Sequence, residues 1–152
     1  MKKESRRSFV RKTAAITSGV LATIVTFQSF ANVNENKKLR LAVVGCGGRG
    51  SGAVVQALNA DDNVEPVSMA DAFRDRIDSS LKGIQDHFGD SKKIKVKEKN
   101  IFIGFDSYKK AIDLCDVVIL TTPPGFRPLH FEYAINNGKH VFMEKPVATD
   151  AT

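Results

Sequence analysis

The stretch Leu39-Arg40-Leu41-Ala42-Val43-Val44-Gly45-Cys46-Gly47-Gly48-Arg49-Gly50 decides how the rest of the chain reads. Its first half is a short apolar, β-branched run that stops at a glycine, as a buried strand does. Its second half is a G-x-G-x-x-G pattern, and beyond it, from Ser51 to Ala60, Ala53, Val54, Ala57 and Leu58 share one helical face. A glycine-rich turn alone carries little information, but between a strand and a helix it is the setting a dinucleotide requires. Gly45 would make the tight turn, Gly47 would let a pyrophosphate approach the backbone, and Gly50 would let the helix pack close to the strand. Amides at the helix start, Gly48 and Arg49 among them, would face the phosphates, where the helix dipole favours negative charge. A purely structural strand-to-helix turn is the alternative.

Such a site also needs an acid at the end of the next strand, roughly 20 residues on. Asp71 stands 21 residues after Gly50, just past Val67-Ser68-Met69-Ala70. A carboxylate there accepts hydrogen bonds from a ribose diol and repels a 2′-phosphate, so NAD is favoured over NADP. Arg74 and Arg76 keep NADP open, since an arginine can accommodate that phosphate; the plainer reading of both is a solvated helix face.

Strand and helix signals alternate onward. Val64 to Ala70 reads as a second strand, with Pro66 suggesting that the strand proper starts later. Phe73, Ile77, Leu81, Ile84 and Phe88 recur at helical spacing, and Gly89 provides a C-terminal stop. In Gly89 to Asn100, Lys92, Lys93, Lys95, Lys97 and Lys99 alternate partly with Ile94 and Val96, as in an edge strand whose lysines discourage pairing with other chains. A nucleic-acid patch is the sharper reading of those lysines, but no aromatic residue interleaves with them, and a nucleic-acid partner is not expected. Ile101 to Phe105 reads as a third strand, and Ser107 can cap a short helix through Cys115. Asp116 to Thr121 is a near-continuous apolar strand, Pro128 opens a helix that Gly138 closes, and His140 to Glu144 is a last strand. Strands and helices in this order imply an α/β fold, a Rossmann-type doubly wound parallel sheet with right-handed crossovers, and a ligand site beyond the carboxyl ends of the strands. Cys46 and Cys115 read as small buried residues rather than a disulfide framework, and no metal-ligand pattern stands out.

The net charge of +6 over 152 residues first suggests a small basic protein. Residues 1–31, however, hold six Lys/Arg against one acid, so they account for +5 and the other 121 residues for +1. Those 31 residues have a basic start, an apolar stretch from Ala14 to Phe27, and a small-residue site at Ser29-Phe30-Ala31, the parts of an export signal with cleavage after Ala31. Ser5-Arg6-Arg7-Ser8-Phe9-Val10-Arg11-Lys12 resembles a twin-arginine signal, which implies export of a folded, cofactor-loaded domain to the periplasm. The apolar run falls short of the roughly 20 residues of a stable membrane span; an uncleaved tether is the alternative. Residues 32–38 read as a linker and 39–146 as the dinucleotide-binding domain. At 42% hydrophobic and 26% charged residues, the chain has globular rather than disordered composition.

Cys115-Asp116-Val117-Val118-Ile119-Leu120-Thr121-Thr122-Pro123-Pro124, followed by Asn137-Gly138-Lys139-His140-Val141-Phe142-Met143-Glu144-Lys145-Pro146, closely resembles the Gfo/Idh/MocA family of glucose-fructose oxidoreductase and inositol dehydrogenase-like enzymes. The resemblance runs from about Leu39 to the end of the chain, and Glu-Lys-Pro after an apolar strand is its most specific element. It implies that Lys145 is the catalytic or substrate-orienting lysine beside the nicotinamide. A cation there stabilises developing alkoxide and lowers a hydroxyl's pKa. It further implies that Glu144 contacts the ribose region and that Thr122 and Pro123 line the nicotinamide side. Where family members often carry a histidine, five positions after the loop threonine, this chain has Arg127; His130 lies three residues further and reads as a core or surface histidine.

The resemblance also implies an NAD(P)-dependent oxidoreductase acting on a sugar or cyclitol hydroxyl, in a homo-oligomer, with a second, C-terminal α/β domain that supplies the substrate site. This sequence reaches only Thr149-Asp150-Ala151-Thr152, a helix start, so 147–152 is expected to open that second domain and the chain to be a fragment inactive on its own. A glycosidase of the same family, which oxidises a sugar hydroxyl transiently and eliminates the aglycone, and a non-catalytic NAD-binding remnant are the competing readings.

Overall fold

Along Leu41-Ala42-Val43-Val44 every residue is buried, and alternate side chains go to opposite faces of the sheet, as a strand covered on both sides requires. Leu41 and Val43 join Ala53, Val54, Leu58, Met69, Ile77, Ile84 and Ile119 in one core cluster; Ala42 and Val44 join Ala70, Ala111, Ile112, Val118, Leu120 and Ala134 in the other. This computed structural model describes residues 37–89, 94 and 96–150. The export signal and linker residues 32–36 lie outside the described residues; Lys37 and Lys38 are exposed, and Lys38 Nζ donates to Asp62 O at 3.1 Å.

The strands are β1 (Leu39–Val44), β2 (Val64–Asp71), β3 (Ile101–Ile103), β4 (Val117–Leu120) and β5 (His140–Met143). The helices are α1 (Gly48–Ala60), α2 (Arg74–Phe88), α3 (Ser107–Asp113) and α4 (Arg127–Asn136). All pairings are parallel, in the order β3-β2-β1-β4-β5, so chain direction across the sheet reverses between β1 and β4. A crevice opens at that reversal, at the carboxyl ends of both strands, where ligands of such sheets bind. Helices α1 and α2 supply the cover of the first cluster, α3 and α4 that of the second. Each fully buried Leu or Ile, such as Leu58, Ile77 and Ile84, contributes on the order of 1.5–3 kcal/mol.

Several elements differ from the sequence expectation, each for a local reason. Helix α1 starts at Gly48 rather than Ser51, because Gly47 takes the N-cap position and the last residues of the glycine loop become the first helical turn. Strand β2 keeps Pro66 instead of starting after it. The register there shifts, with Leu41 opposite Pro66 but Ala42 opposite Ser68, so a one-residue irregularity absorbs the missing N–H. Phe73, counted in the apolar stripe of α2, is its N-cap residue and 62% exposed. In place of the lysine-rich edge strand, the described residues show a 3-10 turn at Glu98–Asn100, while Ile94 and Val96 pack against the first core cluster; Lys92, Lys93 and Lys95 lie outside the described residues. Apolar burial outcompetes edge pairing there. Strand β3 stops before Gly104, whose φ of +107° breaks the extended run. Helix α3 has Asp106 rather than Ser107 at its N-cap position, without a side-chain capping bond, and ends at Asp113.

Cys46 and Cys115 are free, buried thiols, and burial pushes the Cys115 pKa up to about 11. Among the described residues no helix is long and apolar enough to cross a membrane.

Candidate functional site

Backbone hydrogen bonds continue past the strand ends and draw the crevice loops together. Gly45 N donates to Ala70 O at 2.9 Å, Thr121 N to Val44 O at 2.9 Å, and Glu144 N to Leu120 O at 3.1 Å. The glycine loop is thereby set against the loops that follow β2 and β4. Thr121 adds a side-chain bond, its Oγ1 donating to Gly45 O at 2.6 Å.

The four loop glycines fall into two pairs. Gly45 sits at φ +94°, and a Cβ on it would come 2.6 Å from Thr122 N and 2.8 Å from the Thr121 carbonyl carbon. A Cβ on Gly50 would overlap the Gly45 carbonyl oxygen and come within 2.8 Å of Thr121 Oγ1. These two positions are closed by protein. On Gly47 and Gly48 a Cβ would meet nothing within 4 Å. The middle of the loop is therefore an open cradle beside the N-terminus of a 13-residue helix with no acidic residue in its first turn. That arrangement fits a pyrophosphate.

The cradle borders a cleft of about 450 Å³, within the range of small-molecule and cofactor sites. Gly45, Gly47, Asp71, Thr122 and Pro123 line it together. The Asp71 carboxylate is fixed at its edge, with Oδ2 accepting from Cys46 N at 2.7 Å and Oδ1 from Phe73 N at 3.1 Å. Each oxygen keeps a lone pair for a ribose hydroxyl. Below it, burial pushes the Cys46 thiol up, with the Asp71 charge adding to the effect, so Cys46 is a protonated packing residue.

Gly48 and Arg49 lie outside the main cleft. Gly48 lines a smaller hollow of about 250 Å³ with Gly47 and Ser51, and Arg49 reaches across to Glu144 in an ion pair. The Arg49 guanidinium, together with the Lys145 amide, which donates to Glu144 Oε1 at 3.1 Å, holds the Glu144 carboxyl below the usual carboxylate range. Lys145 is exposed beside this pair. Of the two arginines that could receive a 2′-phosphate, Arg74 is taken up by Asp78 at 2.8 Å and by Glu98, whereas Arg76 lines both cleft and hollow.

Three features went unnoticed at the sequence level, and a fourth, His130, is the core histidine that was one of its two readings. Thr121 read as the end of a strand, yet its hydroxyl ties two loops. Arg127 read as a bare substitution, yet it is 5% exposed and bonds both the Thr122 carbonyl and the loop holding Glu144 and Pro146. His130 is buried, its ring tilted against Tyr108 at 4.2 Å between centroids, with Nδ1 3.2 Å from Thr122 Oγ1; burial lowers its pKa to about 4, so it is a neutral core histidine. Phe73, Phe105 and Phe126 form an aromatic wall of the cleft, the last two stacked at 5.9 Å. Only the first of these had a readable signal, a hydroxyl at the end of a strand facing a glycine turn.

Among the described residues no group of His, Cys, Asp and Glu could hold a metal ion. Residues 39–152 match the family model described as oxidoreductase family, NAD-binding Rossmann fold. A relative from Solibacter usitatus (strain Ellin6076), named a glycosyl hydrolase family 109 protein, is 27% identical over 152 residues, covering 97% of this chain and 34% of its own length. An oxidoreductase from Thermotoga maritima superposes with a TM-score of 0.57 at 27% identity, over 75% of this chain and 32% of that one. The scyllo-inositol dehydrogenase of Lactobacillus casei, solved with NAD(H) and scyllo-inositol, shares the fold at a TM-score of 0.57 and 24% identity, over 75% of this chain and 30% of that one. The chain thus spans about a third of the length of these relatives. Glycine cradle, strand order and family match agree: the chain belongs to the Gfo/Idh/MocA oxidoreductase family and carries its NAD-binding Rossmann domain.

Proposed function

We propose that this chain is the cofactor-binding part of an exported oxidoreductase that moves hydride between NAD and a sugar or cyclitol hydroxyl. The observation that carries the reading is the open cradle at Gly47 and Gly48, bordering a cleft that Asp71 lines on the β2 side and Thr122 and Pro123 line on the β4 side, with Glu144 joined to the glycine-loop helix through Arg49 outside that cleft. In this reading the Gly48 and Arg49 amides receive the pyrophosphate, Asp71 accepts from the adenosine ribose, and Thr122 and Pro123 flank the nicotinamide. Glu144, already ionised against Arg49, borders the second ribose. NAD, when bound, supplies the hydride acceptor. Lys145 would place an ammonium beside the substrate hydroxyl and stabilise the developing oxygen anion while a base of the second domain takes the hydroxyl proton and the carbon passes its hydride to NAD. The basic, apolar, small-residue order of residues 1–31 supports the periplasmic destination.

Titration of the chain with NAD and NADP tests the cofactor reading directly. Tryptophan is absent, so tyrosine emission or thermal shift serves as readout. NAD is expected to bind more tightly than NADP, and a chain unmoved by millimolar amounts of either would refute the assignment.

A second reading is favoured by the glycosyl hydrolase family 109 relative, which matches 97% of this chain. There the same hydride step would be transient and would end in loss of the aglycone. For the longer protein, release of an aryl aglycone without net NADH separates this glycosidase from a dehydrogenase.

A further inference from the structure

An arginine normally keeps its charge in water or against a carboxylate. Arg127 does neither. It is 5% exposed, makes no ion pair among the described residues, and turns its guanidinium to three backbone carbonyls. Nε donates to Thr122 O at 2.7 Å, and Nη1 donates to Glu144 O at 2.9 Å and to Pro146 O. The acceptors belong to two separate loops: Thr122 follows β4, whereas Glu144 and Pro146 follow β5 and flank Lys145 on either side. Thr122 is held a second time by His130 through its hydroxyl at 3.2 Å. Hydrogen bonds from a charged donor are about twice as strong as neutral ones, and the planar fork fixes direction as well as distance.

We propose that Arg127 is a positioning residue for the nicotinamide half of the cleft: its guanidinium clamps the Thr122-Pro123 loop to the Glu144-Lys145-Pro146 loop and thereby sets where Lys145 stands. The inference rests on the dinucleotide reading above and adds to it that different side chains hold the two halves of the site, which the Arg49–Glu144 pair joins across the cradle. The adenosine half is held by Asp71 on Cys46 N and Phe73 N and by Thr121 on Gly45 O, none of which touches Arg127. ADP-ribose, which lacks the nicotinamide, needs only that half plus the pyrophosphate cradle.

Isothermal titration of the intact chain with NAD and with ADP-ribose, for wild type, Arg127→Met and Arg127→Lys, separates the halves. Wild type is expected to bind NAD more tightly than ADP-ribose. Arg127→Met should weaken NAD by about tenfold or more while leaving ADP-ribose within about twofold, and Arg127→Lys should fall between, because one ammonium cannot bridge both loops in a plane. Should Arg127→Met not fold, Arg127→Lys carries the comparison. Equal weakening of both ligands would show that Arg127 supports the domain at large, and unchanged NAD affinity would show that the clamp is idle; either overturns the proposal. Failure of wild type to bind either ligand would instead bring down the dinucleotide reading, and the proposal with it.

Discussion

The split between closed and open glycines predicts that two single-methyl substitutions a few residues apart act on different properties. In Gly50→Ala the new Cβ collides with the Gly45 carbonyl oxygen, which already accepts from Thr121 Oγ1 at 2.6 Å. Relief requires moving backbone in the turn that Gly45 N anchors on Ala70 O at 2.9 Å. Overpacking of this kind costs about 1–3 kcal/mol and a disturbed hydrogen bond about 1 kcal/mol more, while the helical gain of Ala over Gly returns about 1 kcal/mol. The net loss is about 1–3 kcal/mol, or roughly 4–12 °C in Tm for a domain of this size. In Gly47→Ala the Cβ meets nothing within 4 Å, and the residue's φ of −75° and ψ of −176° suit alanine. A poorer N-cap costs at most about 1 kcal/mol, so Tm should move by no more than about 4 °C. The methyl does, however, stand where the pyrophosphate would lie, and NAD affinity should fall about tenfold or more, about 1.4 kcal/mol. Thermal melts and NAD titration of both variants check this. If both variants melted alike, the closed-and-open distinction would be wrong. If Gly47→Ala kept full NAD affinity, the cradle would not be where the phosphates sit.

Three further outcomes follow from the same geometry. Asp71→Asn replaces one acceptor oxygen by a donor, leaving Cys46 N or Phe73 N without its partner and removing the charge that opposes a 2′-phosphate; the ratio of NADP to NAD dissociation constants should drop about tenfold, read by parallel titrations. His130 has its pKa lowered from 6.5 to about 4, so the unfolded chain takes up that proton first, and this share of stability is whole above about pH 6.5 and lost as the pH falls towards 4. The loss amounts to up to about 3 kcal/mol, and the difference in Tm between wild type and His130→Gln across that window should report it; parallel curves would argue that the imidazole is not buried neutral. In a protein that joins this chain to a second, substrate-binding domain, Lys145→Met should leave NAD affinity within about threefold while turnover falls by about a hundredfold or more, and an equal loss in both would place Lys145 in cofactor binding instead.

The fold was legible wherever burial was continuous. The apolar runs Leu41–Val44 and Val118–Leu120 are covered on both faces, so composition alone marks them as central strands of a parallel sheet. Reading failed where long-range burial overrode local pattern. Pro66 stays in its strand because the ladder shifts register around it, and Ile94 and Val96 are drawn to the core instead of alternating along an edge. In the site, the motif glycines and Asp71 could be named because their task depends on residue type: no other side chain gives Gly45 its positive φ, and Asp71 needs a carboxylate at a strand end.

The partners of Arg127, Thr121 and His130 were hidden for a common physical reason. Thr121 and Arg127 bond to backbone carbonyls and His130 pairs with a threonine hydroxyl, and neither kind of partner leaves a distinctive mark in a sequence. A salt bridge would have shown as a second charged residue at matching spacing; a carbonyl shows as nothing. The same asymmetry explains why a neutral histidine and a charged arginine can be packed a few residues apart. Burial without a charged partner drives His130 to its uncharged form, whereas the guanidinium cannot shed its proton and has to be met by dipoles. Carbonyls at the ends of two neighbouring parallel strands provide those dipoles only if both loops stay in place. The arginine is therefore satisfied by the loop arrangement it holds, and loosening either loop leaves a buried cation short of acceptors, which makes the closed arrangement cooperative rather than the sum of its hydrogen bonds.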